Sequence, residues 1–152
     1  MRTGVRVGVD VGKVRIGVAR TDFHGMLATP VETVKRGDGD VARILAIAVE
    51  LDATEFIVGL PLSLAGTHTA STEDAETFAR ILATATGIPV RMVDERLSTV
   101  SAQAALRSAG RNSKSSRPVI DQVAAVIIVQ HALDFERAAG RPPGVLVEAD
   151  EG

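Results

Sequence analysis

The chain has no cysteine, no tryptophan and no tyrosine among its 152 residues, and only four phenylalanines. Without thiols there is no disulfide framework, no thiolate metal cluster and no cysteine nucleophile, a composition that suits a reducing compartment. Phe23, Phe56, Phe78 and Phe135 sit in apolar contexts that read as core, so aromatic platforms for stacking bases are scarce. A nucleic acid would have to be held by its backbone and shape, in a salt-dependent way. No apolar run reaches the roughly 18 residues of a membrane span. Met1-Arg2-Thr3-Gly4 leads straight into a strand pattern, so no signal sequence and a cytoplasmic location are expected.

What is present suits one globular domain: 45% hydrophobic and 24% charged residues over a length able to bury a core without staples. The domain is expected over 1–140, followed by a flexible acidic tail over 141–152 that opens with Arg141-Pro142-Pro143-Gly144. The net charge of −2 hides an asymmetry, because removing the tail acids Glu148, Asp150 and Glu151 leaves a body of +1. From Arg91 to Arg117 six cations face only Asp94 and Glu95, a local balance of +4. That stretch is either a docking surface for a polyanion or a solvated helix face.

Apolar periodicity predicts three strands first, Val5 to Asp10, Arg15 to Arg20 and Leu27 to Val34, joined by turn residues as an antiparallel meander. Helical spacing follows over Asp40 to Leu51, then a short buried strand from Glu55 to Leu60. Ser71 with Asp74 resembles a capping box for a helix ending near Thr86, and Val90 to Val93 is the next strand. Helices over Thr99 to Ala109 and Val119 to Ala139 complete the order β-β-β-α-β-α-β-α-α. This predicts a five-stranded mixed sheet flanked by helices, with three antiparallel strands and then parallel ones reached by right-handed crossovers.

Three acids stand where such a sheet opens. Asp10 ends the first apolar strand, Glu95 follows the strand to Val93, and Asp121 shares a helix face with Ala125 and Ile128. An unpaired carboxylate in an apolar setting is costly, so each needs a partner or an open edge. Each also has an ordinary reading: Asp10 as a turn cap, Glu95 as a partner of Arg91 or Arg96, Asp121 as a first-turn helix acid. If they converge, carboxylates without a His or Cys cluster suit Mg²⁺ or Mn²⁺, and two such ions suit phosphoryl transfer. Gly12-Lys13 is not a P-loop, because Val7 and Val14 occupy the positions where that motif needs Gly and Ser or Thr.

Four ordered motifs resemble the YqgF/RuvX family of RNase H-like proteins: Gly8-Val9-Asp10-Val11-Gly12-Lys13-Val14-Arg15-Ile16-Gly17-Val18-Ala19, Val58-Gly59-Leu60-Pro61-Leu62 with Gly66-Thr67, Asp94-Glu95-Arg96-Leu97-Ser98-Thr99, and Asp121-Gln122-Val123-Ala124-Ala125. Two places depart from the family pattern: Val14 where Lys is frequent, and Ser63-Leu64-Ala65 where Asn-x-Asp is usual. The resemblance implies an RNase H-like three-layer fold and a nuclease acting on the 5′ end of pre-16S rRNA, on Holliday junctions, or both. The alternative is a binding factor in ribosome assembly that does not cut. The resemblance also implies Asp10, Glu95 and Asp121 as catalytic acids and ligands of two Mg²⁺ or Mn²⁺ ions, and Lys13, Arg15, Arg96 and Lys114 as nucleic-acid contacts. Ribosomal particles are implied partners. Symmetric junction cleavage would need two active sites, hence a homodimer.

Overall fold

The computed structural model describes residues 2–63, 65–95 and 117–148. Strands β1 (Val5–Val11), β2 (Arg15–Thr21) and β3 (Ala28–Lys35) form the expected meander. Helix α1 (Asp40–Glu50) leads to β4 (Ala53–Leu60), α2 (Ala70–Ala85) to β5 (Val90–Asp94), and α3 covers Arg117–Ala139. The sheet order is β3-β2-β1-β4-β5-β6, with β4 parallel to β1 and β5 parallel to β4. The helix expected over 99–109, and with it Arg96 and Lys114, lies outside the described residues.

The sheet has six strands where five were expected. The sixth is Val145–Leu146, inside the segment expected to be a detached tail, and it pairs antiparallel with β5 through Arg91 and Met92. Val147 N donates to Val90 O at 2.8 Å, and the Val147 side chain packs against the core. Val145 and Leu146 are exposed, so hydropathy gives no strand signal; main-chain bonding to the open edge of β5 holds them there. The cap of α2 also differs. Thr69 is the N-cap, its side chain accepting from Thr72 N while Thr72 Oγ1 accepts from Thr69 N. Asp74 is drawn instead to Arg36.

Alternation along the strands builds two cores. Val7, Val9, Ile16, Val18, Phe56 and Val58 face α1 and α2. Residues one position away face α3: Ala19 and Ile57 pack with Ala125, Ile128, Val129 and Ala132. Two of the four phenylalanines, Phe56 and Phe78, are core as expected. Phe23 and Phe135 are not. Phe23 lies in the β2–β3 turn, edge-on to His24, and Phe135 is exposed on α3 beneath the Arg141 guanidinium. Among the described residues, no helix is long and apolar enough to cross a membrane.

The α3 face of the sheet is polar at both ends. At the amino ends of β1 and β4, Arg6, Glu55 and Glu136 are almost fully buried. Arg2 donates to both carboxylates, Arg91 donates to Glu55 at 3.0 Å, and Arg6 donates to Glu136 at 3.3 Å and to Gly4 O at 2.9 Å. Central strands are covered on both faces, so these charges are enclosed although alternation alone would send them to solvent. Burial opposes ionisation of Glu136, but the Arg2 hydrogen bonds outweigh it and hold the carboxyl below its ordinary range. Removing one member of such a network strands the others. Glu136→Ala is expected to cost about 3 to 5 kcal/mol of unfolding free energy in urea titrations.

Between the two polar ends, α3 approaches the strands at glycines. A Cβ at Gly8 would lie 2.8 Å from Val129 Cβ, and one at Gly17 only 1.9 Å from the carbonyl oxygen of Asp121. The helix backbone therefore rests on β2 where no side chain intervenes. Gly17→Ala is expected to lose about 1 to 3 kcal/mol of stability and to displace the start of α3. Gly87→Ala, with open space around the added methyl, should change the urea midpoint little. Equal effects from the two substitutions would show that the close approach is not maintained in solution.

Candidate active site

The other polar end of the α3 face lies at the carboxyl ends of β1, β4 and β5. Asp10 occupies the penultimate position of β1, on the same side as Gly8, and its cross-strand partner is Gly17. The Asp121 backbone lies above Gly17, so the contact that seats α3 also sets Asp121 beside Asp10. Glu95 follows β5 directly, and its backbone N–H donates to Leu60 O at 3.1 Å. Its carboxylate folds back over β4: a Cβ at Gly59 would lie 2.6 Å from Glu95 Oε1. Glycine at 17 and 59 thus leaves the floor of the crevice open to acids from α3 and β5.

Asp10 and Glu95 are hydrogen-bonded to each other. Two carboxylates bond directly only by sharing a proton. Glu95 is pushed up to about 8, first by burial, then by the charge of Asp10 and the hydrogen bond to it, with Asp94 adding to the effect. Burial also raises Asp10; the hydrogen bond from Glu95 works against this, and the charge of Asp121 adds to it. Burial and like charge thus favour a proton on Glu95.

Asp121 is arranged differently. Its Oδ2 accepts from Arg15 Nε at 2.7 Å. Arg15 was expected to contact nucleic acid; in this structure its side chain is paired with one of the candidate acids. Lys13, at the tip of the β1–β2 turn, is exposed. Arg91, counted in the basic stretch, is instead part of the Glu55 network at the far end of β5.

One contributor to the site, Arg36, carries no motif signal. Arg36 Nη1 donates to Gly12 O at 2.8 Å and its guanidinium clasps Asp74, which holds the turn after Asp10 against α2. The loop after β4 closes on itself: Gly66 N donates to Ser63 O and Thr67 N to Ser63 Oγ. Ser63 therefore serves the turn, at the place where the family pattern has Asn.

The donors available to a cation are all carboxylate oxygens, which match hard divalent ions. Among the described residues no three His, Asp or Glu side chains form a ready ligand group. The Asp10–Glu95 pair nevertheless fits a cation, because two buried acids this close favour a positive charge between them. Asp121, bound through one oxygen, keeps Oδ1 for the same role.

A mixed six-stranded sheet between helices, with acids gathered at the carboxyl edge of its central strands, defines an RNase H-like protein. The solved structure of "T. thermophilus RuvC in complex with Holliday junction substrate" has the same fold, with a TM-score of 0.61 at 18% identity over 92% of this chain and 99% of that one. The chain belongs to the RuvX family, whose model, described as Holliday junction resolvase, matches residues 4–135. A relative from Clavibacter michiganensis subsp. michiganensis is 69% identical over 97% of this chain and 93% of its own length. One from Leifsonia xyli subsp. xyli is 64% identical over 97% of each. Both bear the name "Putative pre-16S rRNA nuclease".

The raised Glu95 has a measurable consequence. Its folded value lies above the ordinary 4.5, so its contribution to stability is full below about pH 4.5 and is lost as pH rises through about 8. Cation-free protein should therefore melt at progressively lower temperature from pH 5 to about 8.5. Glu95→Gln, which cannot ionise, should flatten that slope in calorimetry. An unchanged slope would locate the titrating group elsewhere.

Proposed function

We propose that this chain is a divalent-cation-dependent nuclease that hydrolyses phosphodiester bonds, with the 5′ region of precursor 16S rRNA as its substrate. The observation that carries the reading is the gathering of Asp10, Glu95 and Asp121 at the carboxyl edge of the sheet. The names of the relatives at 64% and 69% identity support the RNA substrate.

In this reading Asp10, Glu95 and Asp121 would hold the cation through their carboxylate oxygens. Bound Mg²⁺ or Mn²⁺ would lower the pKa of the attacking water and neutralise charge developing on the leaving oxygen. The protein's own part is to fix three carboxylates on rigid elements, so that little reorganisation is needed as charge develops. Lys13, on the exposed turn, meets the phosphate backbone. Arg96 and Lys114 supply further phosphate contacts. The protein acts in the cytoplasm, where ribosomal precursors would be its partners.

A second substrate, four-way DNA junctions, is favoured by the description of the family model and by the likeness in fold to RuvC. Both substrates belong in one assay. With Mg²⁺ or Mn²⁺ the wild-type protein should cut precursor rRNA, and Asp10→Asn should reduce cleavage at least about 100-fold while melting temperature and nucleic-acid affinity stay close to wild type. Cleavage of junctions alone would transfer the function to DNA. Binding of either substrate without cleavage by the wild type would make the protein a binding factor.

A further inference from the structure

Arg15 has no counterpart among the cations at the opposite end of the α3 face. There, Arg2 and Arg6 each donate several bonds and Arg91 shares Glu55 with Arg2; here a single Nε–Oδ2 contact of 2.7 Å joins one half-exposed arginine to one partly buried acid. The backbone of Arg15 is held on every side. Its carbonyl accepts from Gly12 N at 3.0 Å, and it pairs across the sheet with Lys35 of β3. Two residues further along the same face, Gly17 supports the Asp121 main chain. Strand β2 thus fixes both the backbone of Asp121 and one oxygen of its carboxylate.

This matters because Asp121 enters a crevice that already holds two acids, and its charge acts on Asp10. Left to itself, a carboxylate there would rotate toward solvent and away from like charge. For the two inner acids, burial and like charge ease the problem by favouring protonation. Asp121 solves it through Arg15.

We infer that Arg15 is a positioning residue: by holding Oδ2 of Asp121 it aims Oδ1 at the Asp10–Glu95 pair and so completes the cation cradle. The inference rests on the nuclease reading for its consequence, but it concerns cation binding, which is measurable without substrate. Ligands whose outer partners are removed typically lose about 10- to 100-fold in metal affinity.

The test is calorimetric titration of Mn²⁺ into full-length protein without nucleic acid, alongside thermal melts to verify folding. Arg15→Ala should weaken Mn²⁺ binding at least about 10-fold. Arg15→Lys, which keeps a cation in reach of Oδ2, should recover part of the loss, whereas Lys35→Ala, on the neighbouring strand but exposed, should leave Mn²⁺ affinity alone. Unchanged Mn²⁺ affinity in Arg15→Ala, with weaker RNA binding and a shallower salt dependence, would overturn the inference and make Arg15 a phosphate contact. Tighter Mn²⁺ binding would overturn it too, since Arg15 would then compete with the cation. Wild-type protein that takes up no Mn²⁺ would remove the nuclease reading itself, and the inference with it.

Discussion

Helix α3 touches the sheet at backbone distance, and most of what is distinctive in this molecule depends on that contact. A side chain at position 17 would collide with the carbonyl of Asp121, and one at position 8 with Val129. Helices usually stand about 10 Å from a sheet because side chains fill the gap. Here the gap is closed by glycine and alanine, and Ala19, Ala125 and Ala132 continue the small-residue seam. The result is a short, stiff path from β1 and β2 to the start of α3, along which the position of Asp121 is set to within the tolerance of van der Waals contact.

The same contact divides the α3 face into a dry middle and two charged ends, which solve the problem of buried charge in opposite ways. At the amino ends of the strands, arginines and glutamates are paired until each is satisfied, and no buried polar side-chain atom among the described residues lacks a partner. At the carboxyl ends like charges gather: burial and Asp10 push Glu95 toward its protonated form, and Arg15 pairs with Asp121. One end is arranged for stability and the other holds unreleased repulsion, as sites for cations and phosphates commonly do.

Much of this was legible before folding. Asp10, Glu95 and Asp121 stand out because each interrupts an apolar run of clear periodicity, and topology rules for α/β sheets bring the ends of those runs to one edge. Asp121 was placed by helical spacing alone, and Ala125 and Ile128 are indeed buried on its face. Features held by main-chain bonds or by distant charges were not legible. Strand β6 is two exposed residues bonded to an open edge. Arg6 and Glu55 look solvent-facing by alternation, and are enclosed only because α3 lies over them. The pairing of Arg15 with Asp121 spans 106 residues of sequence.

The amino-acid order by itself determined the order of the elements from β1 to β5 and the last helix, the two-sided character of β1 and β4, and the family to which the chain belongs. Those properties follow from local periodicity and from residue type, which need no partner to be read. Tertiary structure decided which acid keeps a proton, which is oriented by an arginine, and which cations are consumed by the fold before any ligand arrives. These are properties of distance and burial, and both come into being only when strands far apart in the chain are laid side by side under one helix.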